Sequence, residues 1–529
     1  MRRALTARLA AAGRRRRRLA PVAAILAAAA LAPSPAAAAP DLQTGIADDA
    51  ILLFSPERAP SVVAKWQAMG IEVVRIHARW IAVAPDKAAT RPPRGFHAGD
   101  HLDPHYDWAY LDRAVDLVKR HGMEPILAVT GSGPVWGSRV PSRGNARYKP
   151  DPRKFAQFAS AVAHRYGDRV DRYLLWNEPN QPGWLQPQYD CPAGSKRCIP
   201  VAPHVYRDLV RAAYPAIHAA DPGAQVIGGT LAPRGGDPTR RNRPMRPLAF
   251  LRAFGCVDER YKRVRTGACR GFRPAMLDGF AYHPHGVLRG PGEPNPHRDE
   301  AAIADLPRLE QTLDAVQDAG GFRTPFGQRV PLHLTEFGYQ TLPPDPYSGV
   351  TPAQQRDWLQ QAAYVAWKDP RIHTLIQYEW QDEPIKSVGI GRKAYAGWQS
   401  GLLYADGRAK PALSVFRNPF WTDPQPDDAT VRFWGQVRPG LGHDVSIQRR
   451  GPSGGWVPVQ RVSTDASGYF SADLAVTSPG SYRYVYQDVA PASAARGSRA
   501  RTIASAVRRV APPPAPVLDG AAPAPRDPA

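Results

Sequence analysis

The chain has 529 residues, 43% of them hydrophobic and 22% charged, with a formal net charge of +22. That content excludes a disordered chain and suffices for a barrel-sized core with a second unit. Taken alone, the charge implies a nucleic-acid or polyanion binder, because a cationic surface attracts anions at long range.

Eight of the positive charges, Arg2, Arg3, Arg8 and Arg14 to Arg18, precede an Ala-rich apolar run ending at Ala37-Ala38-Ala39, and no acidic residue comes before Asp41. A basic head, a short apolar stretch broken by Pro21 and Pro33, and small residues at its end predict an export signal over 1–39, cleaved near Ala39. A membrane anchor needs roughly 20 uninterrupted apolar residues, so no stable membrane insertion is expected. Losing the eight arginines lowers the net charge from +22 to about +14. The expected location is secreted or cell-envelope associated, and the run of five arginines leaves the export route open.

From Leu42 to about Phe420 apolar β-branched segments alternate with amphipathic helical ones, the pattern of βα units. Strands are expected at Ile46–Phe54, Glu72–His77, Glu124–Thr130, Arg172–Trp176, Gln225–Thr230, Gly279–His283, Pro331–Thr335 and Thr374–Trp380. Eight is the number that closes an α/β (β/α)8 TIM barrel, here spanning 40–422. Helices are expected at Tyr110–His121, Pro152–Tyr166, Tyr206–Ala219 and Ala301–Ala319. No Gly-rich phosphate loop follows the first strand, which argues against an open doubly wound sheet.

Past Trp421, with Pro424 and Pro426 read as a linker, short strands alternate at Thr430–Val437, Asp444–Gln448, Trp456–Val462, Tyr469–Leu474, Ser481–Tyr486 and Thr502–Val507. They predict a small immunoglobulin-like β-sandwich over 427–510, with Asp465 to Gly468 as a hairpin turn. The Pro/Ala-rich tail 511–529 cannot bury a core and is expected to be disordered. Export would place Cys191, Cys198, Cys256 and Cys269 in an oxidising compartment. Short spacings favour Cys191–Cys198 and Cys256–Cys269, although three pairings are formally possible. No CxxC pair stands at zinc-ligand spacing, so no metal is expected.

The chemistry concentrates at two strand ends, Trp176-Asn177-Glu178-Pro179-Asn180 after strand four and Leu334-Thr335-Glu336-Phe337-Gly338-Tyr339 after strand seven. A buried, unpaired carboxylate loses its hydration at a large cost. Two glutamates facing each other across a barrel mouth, where such folds build their sites, point to catalysis. Paired carboxyls suit glycosidic cleavage, one protonating the leaving oxygen and the other attacking the oxocarbenium-like carbon.

These motifs resemble the acid/base and nucleophile motifs of the clan of retaining (β/α)8 glycoside hydrolases that includes the cellulase-type family five and the xylosidase-type family thirty-nine. The likeness covers roughly Ile46 to Phe420, in matching order. It implies Glu178 as acid/base, Glu336 as nucleophile, Arg75 in Glu72-Val73-Val74-Arg75-Ile76 as the arginine beside the nucleophile, Asn177 on the sugar 2-hydroxyl, His283 as the strand-six histidine, and Trp380 as the platform under the sugar. Where the clan shows His-x-Tyr on strand six, this chain has His283-Pro284-His285, with Tyr339 or Tyr282 as substitutes for the tyrosine that supports the nucleophile. Trp136 and Trp184, in loops on the catalytic face, are candidates to stack on sugar rings.

The resemblance implies an oligo- or polysaccharide substrate, no cofactor, no nucleic-acid partner and a monomer. A catalytically weak carbohydrate-binding barrel is the second reading, motivated by His285, and a polyanion binder the third, motivated by charge. Of the remaining charge, Arg234 to Arg270 holds eleven basic residues against Asp237, Asp258 and Glu259. Only its first part, Arg234 to Arg246, is expected on the catalytic face. Gly451 to Gly455 formally fits a serine-hydrolase elbow but reads as a turn, since no helix follows it. The cluster His101, Asp103, His105 and Asp107 reads as a solvated loop.

Overall fold

The computed structural model describes residue 39 and residues 41–193, 198–386, 389–425, 429–488 and 501–514. The expected signal segment, apart from Ala39, and the tail beyond residue 514 lie outside the described residues. Among the described residues no helix is long and apolar enough to cross a membrane.

Eight parallel strands close a barrel: β1 (Gln43–Ala47), β2 (Val73–Arg79), β3 (Glu124–Thr130), β4 (Arg172–Leu175), β5 (Gln225–Leu231), β6 (Gly279–Tyr282), β7 (Leu332–Phe337) and β8 (Ile372–Tyr378), with β8 pairing β1. Ala47, Val73, Ile126, Ala128, Leu174, Ile227, Ala281 and Ile376 fill its interior. Gly45 permits the closure, because a Cβ there would stand 2.6 Å from Val73 and 2.9 Å from Ile376. The principal helices are α1 (Ala59–Ala68), α2 (Ala109–Arg120), α3 (Pro152–Tyr166), α4 (Ala202–Ala220), α5 (Pro247–Phe254), α6 (Leu306–Asp318), α7 (Pro352–Trp367) and α8 (Pro411–Arg417). α3 begins where the sequence signals it: Asp151 accepts from the Arg153 and Lys154 amides and Pro152 opens the first turn.

The first strand departs from expectation. It ends at Ala47, and Asp48 caps a short helix, Asp49–Leu52, by accepting from the Ile51 amide at 3.0 Å. The apolar residues Ile51 to Leu53 pack as helix and turn rather than strand.

Beyond the barrel, β9 (Phe420–Gln425), β10 (Thr430–Gln436) and β13 (Tyr469–Leu474) form one antiparallel sheet. β11 (Asp444–Arg450), β12 (Trp456–Ser463), β14 (Gly480–Asp488), β15 (Arg501–Ala504) and β16 (Arg508–Val510) form another. Phe420, Phe433 and Phe470 of the first share a core with Val445, Ile447 and Tyr484 of the second. Pro424, read above as linker, therefore lies inside a strand; as an edge residue of β9 it needs no amide donor. The Asp465–Gly468 turn, with Gly468 at φ 83°, joins β12 to β13 across the two sheets and is no hairpin. Gly451 to Gly455 is the hairpin turn between β11 and β12. The Tyr469 hydroxyl donates to the Leu42 carbonyl at 2.9 Å, and Trp434 packs on Trp367 of α7. Both disulfides take the local pairing, Cys191–Cys198 and Cys256–Cys269.

Candidate active site

The C-terminal end of β4 is built against local preference. Trp176 and Glu178 both have positive φ, 72° and 36°, a cost of about 1–3 kcal/mol each that persists only where surroundings enforce it. Here the Trp176 amide donates to Val129 O and the Glu178 amide to Thr230 O. Asn180 then ties this turn to the next loop, giving two hydrogen bonds to Ala232 O and Met245 O and accepting from the Ala232 amide. On β7 the pairing with β8 jumps between Leu334 and Phe337, so one extra residue is accommodated around Thr335 and Glu336. Such a bulge re-aims a side chain. The result is two carboxyls turned toward one point.

Glu178, His283 and Glu336 each offer an atom within 4.8 Å of the other two. His283 Nδ1 is 3.2 Å from Glu178 Oε1 and 3.6 Å from Glu336 Oε2. Arg75 Nη1 donates to Glu336 Oε1 at 2.6 Å, and its Nη2 donates to Asn177 Oδ1 at 2.5 Å. Nη2 also meets His77 Nε2 at 2.8 Å, while His77 Nδ1 meets Asp49 Oδ2 at 2.6 Å. A guanidinium only donates, so His77 accepts at Nε2 and donates from Nδ1 to Asp49. The chain Asp49–His77–Arg75 thus orients the guanidinium on Glu336.

These surroundings drive the two glutamates apart. Burial raises Glu178, assisted by the charge of Glu336, to about 8. Burial alone would raise Glu336 as well, but the Arg75 guanidinium on its Oε1 outweighs it and holds that carboxyl well below the usual range. Burial depresses His283 to about 3, which keeps its ring neutral. One carboxyl is therefore an acid at neutral pH and its neighbour an anion, a division that acid/base pairs exploit. The same three atoms form a set that a small cation could share, yet Arg75 already supplies countercharge on Glu336. The other ligand-like group, His204 with Cys256 and Cys269, has both sulfurs in a disulfide.

Of the expected site residues, Glu178, Glu336, Arg75, Asn177 and His283 come together. Trp184 joins them at the rim, half-buried and stacked on His77 at 5.9 Å. Four others do not. Trp136 is 1% exposed, its Nε1 bonded to Pro85 O and its ring edge-on to Trp80. Tyr339 donates to Arg289 O and packs on Trp358, and Tyr282 donates to Ala301 O, so neither tyrosine replaces the missing one. Trp380 is buried edge-on against Trp66 of α1. The residue of that segment turned inward is Tyr378, which packs against the barrel-interior cluster and feels the charge of Glu336. His285 and Trp398 complete the wall: Trp398 lies tilted against His285 at 4.8 Å and meets Tyr378 edge-on at 5.4 Å. Sequence reasoning missed His77, Tyr378 and Trp398; the period-2 alternation from Arg75 was the signal for His77, whereas Trp398 comes from a long loop with none.

Part of the basic segment is committed locally. Arg246 lies 2.7 Å from Asp237, Arg252 2.8 Å from Asp299, and Arg263 covers the Phe272 ring. Asp103 folds its loop back on itself, accepting from the His97 and His105 amides and from His105 Nδ1.

No family model matches the chain, and no curated protein matches it. Solved structures similar to it include a glucosidase from Croceicoccus marinus, 13% identical with a TM-score of 0.45, covering 83% of this chain and 94% of that one. A GH5_18 protein from Streptomyces cattleya in complex with Manβ1-4GlcNAc is 16% identical, with a TM-score of 0.44 and coverage of 71% and 79%. An endo-β-1,4-mannanase from Thermotoga petrophila is 12% identical, with a TM-score of 0.39 and coverage of 88% and 98%. Likeness at this level is no argument for an activity, which rests on the geometry above.

Proposed function

We propose that the chain is a secreted retaining glycoside hydrolase acting on a β-linked glycan. The observation that carries this reading is the proximity of Glu178 and Glu336, with oxygens within 4.8 Å and opposite protonation. A retaining pair stands about 5–5.5 Å apart, whereas an inverting pair leaves room for water at about 6.5–9.5 Å.

Glu336 attacks the anomeric carbon as Glu178 gives its proton to the departing glycosidic oxygen, forming a covalent glycosyl-enzyme. With the aglycone gone, Glu178 is ionised and takes a proton from water. The water oxygen bonds to the anomeric carbon, and the electron pair of the breaking bond returns to Glu336. Arg75 keeps Glu336 ionised and Asn177 fixed. Trp184 and Trp398 offer aromatic faces for sugar rings at the rim. In this reading the two C-terminal sheets form a sandwich-like accessory unit.

A panel of aryl β-glycosides, with the first-formed product anomer read by proton NMR, tests the proposal. Release of the β-anomer supports it; the α-anomer, or no release from any member, overturns it.

A further inference from the structure

Among the polar side chains of the site that the steps above do not use is His285. His285 is 3% exposed, fixed by the Trp398 face at 4.8 Å and by Tyr378 edge-on at 6.3 Å. Its Nδ1 lies 3.4 Å from the Gly338 carbonyl. Its Nε2 is buried without a hydrogen-bond partner among the described residues and faces Glu336 Oε2 at 3.7 Å, the oxygen that Arg75 does not hold. Catalytic hydrogen bonds are often this long before substrate closes the site.

A carbonyl and a carboxylate only accept, so both ring nitrogens of His285 face acceptors. Only the doubly protonated ring satisfies both. The adjoining indole favours the same form, because a cation within about 6 Å of an aromatic face is attracted to it.

We infer that His285 is a positioning residue, protonated on both ring nitrogens, that donates from Nε2 to Glu336 Oε2 and so fixes the nucleophile at its second oxygen. The kinetic consequence rests on the glycosidase reading; the protonation state does not. A charge-assisted hydrogen bond stabilises the carboxylate more than a phenol would. It therefore favours the second step, in which the electron pair returns to Glu336. The groups facing the ring are Glu336 on β7, Glu178 beyond β4, Arg75 on β2, Tyr378 on β8 and His283 on the same loop. Glu336 supports the charge and Arg75 opposes it. His283 and Tyr378 are neutral, and Glu178 adds support once it ionises near pH 8.

The test uses the whole protein labelled with 15N-histidine. Ring-nitrogen shifts are recorded at pH 7, and His285 is assigned by its absence in His285→Phe, or in His285→Tyr where the phenylalanine variant does not fold. Two protonated nitrogens support the inference; a ring with one N–H overturns it. In kinetics on a glycoside that the wild type hydrolyses, His285→Phe is expected to lower kcat on the order of a hundredfold and to lower KM with it, because the glycosyl-enzyme accumulates when its second step is slowed. His285→Tyr, which restores a donor, is expected to recover about a tenth or more of the wild-type kcat. An unchanged kcat in His285→Phe sinks the positioning role. A wild type that hydrolyses no glycoside overturns the glycosidase reading instead, while the nitrogen shifts still decide the protonation.

Discussion

Arg75 Nη1 lies 2.6 Å from Glu336 Oε1, with the arginine side chain 1% and the glutamate 6% exposed. Two charges this deeply buried depend on each other, and removing one leaves the other unpaired at a cost of about 3–5 kcal/mol. Arg75→Met is expected to destabilise the protein by that order and to move the acid limb of the pH–rate profile upward, because Glu336 loses the cation that holds it ionised. Arg75→Lys keeps the charge but not the fork that also reaches Asn177 and His77, so it is expected to fall between. Denaturant titration with pH–rate profiles of the three proteins checks both effects.

On the proposed mechanism the alkaline limb is assigned to Glu178. Its proton is needed by a poor leaving group, so kcat/KM is expected to fall as pH rises through about 8. A leaving group that departs without protonation should lose that dependence. The same shift enters stability with a definite sign. The folded protein holds this proton up to about 8, while the unfolded chain releases it near the ordinary value of 4.5. Stability from this group is therefore fully present below 4.5 and lost as pH rises toward 8. Glu178→Gln removes that slope and is expected to be more stable than the wild type at pH 9, by on the order of 2 kcal/mol, with no such gain at pH 4.

The aromatic residues separate into rim and core. Trp184→Ala is expected to raise KM several-fold for an oligosaccharide, in line with about 1 kcal/mol of stacking, and to leave Tm nearly unchanged. Trp136→Ala and Trp380→Ala empty buried sites and are expected to cost about 3–5 kcal/mol of stability. Steady-state kinetics beside thermal melts distinguishes the two classes. A large KM effect from a Trp136→Phe variant that folds normally would contradict the placement.

Lys410 and Asp382 form a second buried pair at 2.7 Å, their side chains 0% and 1% exposed, with Lys410 also donating to the Gln399 carbonyl beside Trp398. Lys410→Met strands the Asp382 carboxylate and is expected to destabilise by about 3–5 kcal/mol. The double variant Lys410→Met, Asp382→Leu is expected to recover part of that loss. Denaturation of both, as a mutant cycle, measures the coupling.

The barrel was legible because its strands are apolar on both faces and its helices carry explicit ends: Glu124–Thr130 and Pro152–Tyr166 were read with their observed bounds. The two glutamates were legible because a charged residue at the end of such a strand demands an explanation. What the pattern hid are places where the chain leaves its period. Ala47 hands over to a capped helical turn, so the apolar run Ile51 to Leu53 mimicked strand. The strand-eight segment turns Tyr378 rather than Trp380 inward, two residues from the position that the resemblance implied. Trp136 and Tyr339 were credible from their loops, yet each hydroxyl or indole nitrogen found a backbone carbonyl away from the glutamates. Trp398 comes from a long loop tied down in part by the Lys410–Asp382 pair, with Lys410 donating to the neighbouring Gln399 carbonyl, a contact that no local signal encodes.

The central claim is that Glu336 forms a covalent bond to the sugar. Incubation with a panel of activated 2-deoxy-2-fluoroglycosides, followed by intact mass and peptide mapping, tests it most directly. The account predicts a single adduct on Glu336, absent in Glu336→Gln and accompanied by loss of activity. An adduct mapped to another residue would contradict it, as would turnover of the parent glycoside by Glu336→Gln at the wild-type rate.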